Sequence, residues 1–333
     1  MEPQIITRLN WGIVGPGSIA REFIRDMKQV DICVNTVAAV MSPRLQDAER
    51  FAREYHIPFW CDDLDAMLEQ ADVDVVYIAS PHVFHYAQTL QCLEHHVPVL
   101  CEKPLALNLP QAEEMIRAAK NHHTFLMEGM WIRFLPSLLK VLEWLEIGKI
   151  GSICSLTANM SFLAPKDSHN RFFDPALGGG SLLDLGIYPV YISQLLLGTP
   201  MALKATARLS AAQIDESCAM IFDYPSAYSI LESSIVKRTD NQAIIFGDRG
   251  MITILAPWNE KSPGIRYDHY RGESEYCACH WPGRGFQFEI TEVVRCLSLG
   301  EIESTKHAHQ DSLRLMRLLD EVRDKTHIHY PAV

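Results

Sequence analysis

Three short stretches carry residue types that could do chemistry together. In "CEKPLALN", residues 101–108, Lys103 stands between Glu102 and Pro104, just after the apolar run "HVPVL". A lysine at the end of a buried strand is a compact cation, able to stabilise a developing oxyanion and to depress the pKa of a nearby acid. In "LLDLGIY", Asp184 and Tyr188 lie four residues apart, on one face of an expected helix start. Taking a proton from a hydroxyl needs a positioned side chain of this kind. "GPGSIA" matches G-x-G-x-x-G/A with Gly15, Gly17 and Ala20. It follows an apolar strand and opens a helix, which is the setting in which the pattern binds a dinucleotide. Glycines let the backbone approach a pyrophosphate, and the helix N-terminus around Ser18 and Ile19 offers amides and a positive dipole end.

The end of the second strand reads the adenine ribose in such a site. Here "VMSPR" supplies Ser42 and Arg44, with no acid before Asp47. A carboxylate would repel a 2′-phosphate, whereas a hydroxyl and a guanidinium would hold it, so NADP is expected ahead of NAD. The plainer reading of Arg44 is a solvated helix-start residue.

The elements that must position these residues follow from periodicity. Over residues 1–130, apolar strands ("NWGIVG", "VNTVAAVM", "DVVYIAS", "PVLCEKP", "TFLMEGM") alternate with amphipathic helices. That rhythm implies a doubly wound parallel sheet of Rossmann type, an α/β fold, with ligands at the C-terminal strand ends. After Trp131 the pattern changes. Residues 131–333 read as a second, α+β domain with a large, mostly antiparallel open sheet, a hairpin in "IFGDRGMI" and two closing helices.

The formal charge of −11 disfavours a general binder of nucleic acid or anionic membranes. No apolar run was expected to reach the ~18–20 residues that span a bilayer, and the start lacks an apolar leader segment. Nine scattered cysteines suit free thiols in the cytoplasm. Cys277, Cys279 and His280 lack a second ligand pair at zinc-like spacing, so no metal is expected.

Taken in order, "GIVGPGSIA", "VDVVYIASPHVFHYAQTLQCL", "PVLCEKPLALN", "LMEGMWIRFLP", "GGGSLLDLGIYPV" and "GFQFEITEVVRCLSLGEIES" resemble the Gfo/Idh/MocA oxidoreductases over nearly the whole chain. "WIRF" with "DLGIY" is most similar to the branch of dimeric dihydrodiol dehydrogenases, which also holds NADP-dependent sugar dehydrogenases. The resemblance implies that Lys103 points into the cleft beside the nicotinamide and the substrate hydroxyl. It implies Tyr188 as the acid/base where many members carry histidine. Free tyrosine titrates near ~10, so the role requires Lys103 and the nicotinamide charge to lower its pKa. Asp184 would orient either the substrate or Lys103.

The resemblance also puts Ser80 and Pro81 near the cofactor and His85 at the next helix start, among the cofactor-binding residues. On the residues alone, His82 and His85 read better as helix-start or packing histidines. Glu102 is expected beside the nicotinamide ribose. Trp131 and Arg133 are expected to line the cofactor or substrate pocket, with core packing the alternative for Trp131. Arg171 is available to substrate or cofactor, or equally to a loop salt bridge. A homodimer or homotetramer through the open sheet is implied.

The expectation is an NAD(P)-dependent oxidoreductase acting on a sugar or cyclic diol. Two alternatives from other classes stand beside it: a non-catalytic dinucleotide sensor, and a redox-cycling glycosidase of the same family. A sensor has no chemical need for Lys103, Asp184 and Tyr188 together.

Overall fold

The computed structural model describes residues 6–165 and 171–330. The chain divides into two compact units, one of Met1–Trp131 with Pro282–Leu313, the other of Ile132–Trp281 with Arg314–Val333.

In the first unit, β1 (Arg8–Val14), α1 (Ser18–Met27), β2 (Val34–Met41), α2 (Leu45–Tyr55), β3 (Phe59–Cys61), α3 (Leu64–Gln70), β4 (Val75–Ile78), α4 (His85–Glu94), β5 (Val99–Glu102), α5 (Leu109–His122) and β6 (Leu126–Gly129) alternate. Their sheet runs β3-β2-β1-β4-β5-β6, with parallel pairing throughout. Strand order reverses between β1 and β4, the switch point where such sheets bind ligands. β4, β5 and β6 are buried along their whole length, as strands covered on both faces must be. β3 and α3 were not expected. β3 has only three residues and one of them is exposed, so it carries too little apolar pattern to stand out.

The second unit begins with α6 (Pro136–Glu146) and β7 (Ile153–Ser161), followed by α7 (Ile187–Leu197). Next come β8 (Ala202–Leu209), β9 (Asp215–Asp223), β10 (Tyr228–Ser234), β11 (Ala243–Gly247), β12 (Gly250–Ile254), β13 (Gly264–His269) and β14 (Ser274–Ala278). The eight strands order as β14-β13-β12-β11-β7-β10-β9-β8, and all pairs are antiparallel except β10 with β7. One face packs on α6 and α7. On the other, Lys204, Ile221, Ile230, Thr157 and Ile244 lie in cross-strand register, with Ile221 and Ile230 about half exposed. The expected β11–β12 hairpin is present. β13 and β14 escaped the sequence reading because they mix charged with apolar residues, and β14 is mostly exposed.

Two expectations need correcting. The final helices were assigned to the second domain, yet α8 (Phe286–Ser298) belongs to the first unit. The reason is a long-range contact: buried Asp26 of α1 accepts the amides of Arg284, Gly285 and Phe286 at 2.8, 2.7 and 3.0 Å, capping α8. α9 (His309–Thr326) gives its residues up to Leu313 to the first unit and the rest to the second. The second correction concerns membrane spans. Among the described residues one helical stretch, Pro175–Leu197, is long and apolar enough to cross a bilayer, but 83% of its apolar window is buried, as in a core helix.

Candidate active site

The first unit gathers one set of the expected residues around the switch point. Gly15 adopts φ +88°, and a Cβ there would lie 2.7 Å from the Ser80 amide nitrogen, so only glycine fits. At Gly17 a Cβ would meet nothing within 4 Å. α1 begins immediately after it, with no side-chain cap on its N-terminus among the described residues and no acid in its first turn. The amides around Ser18 and Ile19 therefore face open space at a positive helix end, a ready anion cradle.

At the end of β2, Ser42 is buried and its hydroxyl lies 3.4 Å from the Arg44 amide. The Arg44 side chain is 86% exposed and reaches Asp47 at 2.8 Å. Asp47 also meets Arg50 at 2.6 Å, so this carboxylate is paired with two guanidinium groups.

Past β4, the Ser80 hydroxyl donates to Gln88 at 2.6 Å, and Pro81 leads into a short 3₁₀ turn, His82–Phe84. His85 is fully buried. Its Nδ1 lies 2.8 Å from the Pro104 carbonyl oxygen and its Nε2 2.9 Å from that of Ser80. Burial, with His82 next, pushes this imidazole down to about 4. A neutral ring carries one N–H and donates to one of these carbonyls at a time. His85 thus fits the packing reading, with both nitrogens turned to the backbone.

Past β5, Glu102 is nearly buried; it accepts the Tyr77 hydroxyl at 2.5 Å and the Lys103 amide at 3.2 Å. Lys103 is half-buried at the strand's C-terminal end, and the Lys103–Pro104 peptide is cis. Tyr77 stacks on Phe23 at 3.8 Å, Phe23 meets Phe286 edge-on, and Phe286 stacks on Trp131 at 5.0 Å. Trp131 is therefore a core residue of the first unit with little ring left for a ligand.

The second unit gathers the other set. Its helix opens as a π turn, Leu182–Gly186, which continues as α7. Such widened turns recur at functional sites. Asp184 lies in the π turn and Tyr188 at the start of α7, both nearly buried. Arg171 donates to both Asp184 oxygens at 3.2 and 3.3 Å while its guanidinium covers the Phe172 ring at 4.3 Å. Of the two readings kept open for Arg171, a salt bridge is present, and its partner is a candidate site residue. Arg133 is half-buried in the 3₁₀ turn Trp131–Phe134.

The residues missed from the sequence are buried acids. Asp215, at the start of β9, accepts the Leu182 amide at 2.6 Å, the Ser181 hydroxyl at 3.0 Å and the Tyr330 hydroxyl at 3.2 Å. It caps the helix that carries Asp184 and Tyr188. Burial outweighs these bonds and pushes its carboxyl up to about 6. Glu128, at the end of β6, accepts the Leu105 amide at 2.9 Å and the Ser312 hydroxyl at 2.6 Å, with His307 Nε2 at 3.2 Å. Glu289, on α8, is fully buried, and neither carboxyl oxygen has a hydrogen-bond partner among the described residues. Burial, together with the charges of Glu102 and Asp26, pushes it well above the usual carboxylate range. One sequence signal was available: an acid inside an apolar strand ("FLMEGM") or among the apolar residues of a helix ("FQFEITEVV") has to be satisfied or neutral once buried.

Residues 9–130 match the model of an oxidoreductase family described as having an NAD-binding Rossmann fold, GFO_IDH_MocA, and residues 138–253 match the GFO/IDH/MocA C-terminal domain. The chain belongs to the Gfo/Idh/MocA oxidoreductase family. It is 30% identical over 332 residues to trans-1,2-dihydrobenzene-1,2-diol dehydrogenase of Xenopus laevis, covering 96% of this chain and 99% of that one. It is likewise 30% identical to scyllo-inositol 2-dehydrogenase (NADP+) of Bacillus subtilis, covering 97% and 99%. Among solved structures it is similar to a 3-ketoreductase from Actinomadura kijaniata in complex with NADP and TDP-benzene, with a TM-score of 0.85, 25% identity and coverage of 96% and 98%. The protein is an NAD(P)-dependent dehydrogenase or reductase acting on hydroxyl-bearing carbons of sugars or diols. The open space beyond Gly17 and the uncapped start of α1 fit the pyrophosphate of such a dinucleotide.

Proposed function

We propose that this member is an NADP-preferring dehydrogenase of a cyclic vicinal polyol or sugar, with Tyr188 as acid/base and Lys103 as the cation that stabilises the alkoxide. The observation that carries the substrate class is shared by its two named relatives: each acts on a six-membered ring bearing adjacent hydroxyls. The bound nicotinamide supplies the hydride acceptor at C4. In oxidation, Tyr188 takes the hydroxyl proton as the carbinol C–H leaves as hydride, giving a ketone; reduction runs the same steps backwards. Lys103 stabilises the charge that grows on the substrate oxygen and helps keep the acid/base group ionisable. Asp184, fixed by Arg171, orients a substrate hydroxyl, while Glu102 and Ser80 line the nicotinamide side of the cofactor cleft. Ser42 and the exposed Arg44 support the 2′-phosphate, and Pro81 and Arg133 shape the pocket, while Trp131 packs in the core of the first unit. The enzyme works in the cytoplasm as a homo-oligomer joined through the open sheet, on which Ile221, Tyr228 and Ile230 are exposed.

The test is nicotinamide absorbance with NADP+ or NAD+ against aldoses, inositols and trans-diols. Turnover of a ring polyol with at least tenfold better kcat/KM for NADP+ than for NAD+ is expected. Preference for NAD+ would overturn the reading of Ser42 and Arg44. NADPH binding without turnover of any polyol would favour the sensor, and turnover without added oxidant would favour redox cycling.

A further inference from the structure

The segment after β5, residues 103–108, has no regular structure before α5 begins. Lys103 is the first residue of this segment, and a lysine side chain is long and flexible, so its aim depends on a fixed backbone. The peptide unit just beyond it, Pro104–Leu105, is held at both ends. Its carbonyl oxygen lies 2.8 Å from His85 Nδ1, and its N–H donates to Glu128 Oε1 at 2.9 Å. The second Glu128 oxygen receives Ser312 Oγ at 2.6 Å and lies 3.2 Å from His307 Nε2. His85, Glu128, His307 and Ser312 are 0–4% exposed. Burial alone would raise the Glu128 carboxyl, but His307, Ser312 and the Leu105 amide outweigh it and bring it below its usual range, so it accepts as a carboxylate. Through its other nitrogen His85 reaches the Ser80 carbonyl. His85 at the start of α4 and Glu128 near the end of β6 therefore meet on one peptide, and His307 and Ser312 around the start of α9 contact Glu128.

We propose that Glu128 and His85 are positioning residues that fix Lys103 by clamping both ends of the following peptide unit, with Ser312 and His307 holding Glu128 in place. Neither residue needs to touch the substrate. This rests on the reading of Lys103 as the alkoxide-stabilising cation. A misplacement of about 1 Å at such a group costs on the order of 100-fold in rate.

The test is a double-mutant cycle. Glu128→Ala, Glu128→Gln and Ser312→Ala are each made with Lys103 and with Lys103→Ala. Turnover is read with NADP+ and scyllo-inositol, or with whichever ring polyol the panel turned over. Amide exchange at Leu105 is read without any substrate. With Lys103 present, Glu128→Ala is expected to lower kcat at least tenfold with NADPH affinity within about threefold, and Ser312→Ala to act the same way more weakly. Glu128→Gln keeps an oxygen for the Leu105 amide and should recover most of the rate. In the Lys103→Ala background these changes should cost nothing further, while Leu105 exchange accelerates at least tenfold in Glu128→Ala. Should Glu128→Ala not fold, the Ser312→Ala cycle is read by the same criterion. Equal losses in both backgrounds, or no loss despite faster Leu105 exchange, would overturn the clamp and leave the role of Lys103 intact. Full activity in Lys103→Ala alone would overturn the role of Lys103, and the clamp with it.

Discussion

Glu289 shows at the scale of one residue how stability and chemistry pull apart. A fully buried carboxyl with no hydrogen-bond partner among the described residues, and with the charges of Glu102 and Asp26 acting on it, stays protonated in the folded state at pH values where an unfolded chain has lost the proton. Its folded pKa is raised, so its contribution to stability is complete below the unfolded value near ~4.3 and is lost as pH rises through the folded value. Glu289→Gln removes that dependence. The variant's melting temperature relative to wild type should rise by a few degrees from pH 5 to pH 8, and a difference that stays flat across this range would refute a neutral Glu289. The places of Lys103 at a strand end and Tyr188 at a helix start were legible because their neighbours announce them: E-K-P after a strand, D-x-x-x-Y at a helix start. Glu128, Asp215 and Glu289 were not read, because what makes each one matter lies 23 or more residues away along the chain, or, for Glu289, is the lack of a hydrogen-bond partner among the described residues.

At the scale of elements, the helix start that carries Asp184 and Tyr188 is held by a strand. Asp215 of β9 receives the Leu182 amide, the Ser181 hydroxyl and the Tyr330 hydroxyl, and Gly180 is required beside it because a Cβ there would meet Asp215 at 2.0 Å. Asp215→Ala strands these donors in a buried site, a loss of roughly 1–3 kcal/mol. It should lower the melting temperature and reduce kcat about tenfold or more. NADPH affinity should stay within about twofold, because the glycine loop stands in the other unit. Asp215→Asn keeps an acceptor for Leu182 and should fall between wild type and alanine. Loss of NADPH affinity equal to the loss of kcat would contradict this division of labour. Element by element, β1, β2, β4, β5 and β6 could be read from the sequence because their largely apolar runs leave little choice. Short β3, β13 and the edge strand β14, the last two mixing charged with apolar residues, offer no such pattern. Nor did any local signal show α8 to be joined to the first unit through Asp26.

At the scale of the whole molecule, the second unit's sheet covers one face with its own helices and leaves the other open. Ile221 and Ile230 sit side by side in register on β9 and β10, toward the β8 edge of that face, and Tyr228 is exposed on the same strand as Ile230. This exposed apolar patch is the surface on which the proposed association rests. Ile230→Glu, changing a side chain that supports nothing inside the core, should shift the mass measured by light scattering from oligomer to monomer while far-UV circular dichroism stays unchanged. An unaltered mass would place the interface elsewhere.

The central claim is that Tyr188 moves the proton in a reaction whose charge Lys103 stabilises. The most direct measurement is kcat for Tyr188→Phe with NADP+ and a ring polyol, beside NADPH binding followed by fluorescence. A fall in kcat of about 10²–10⁴-fold with NADPH affinity unchanged is the result expected of a general acid/base. A variant that keeps its kcat within a few-fold of wild type would contradict it and move the proton to another group.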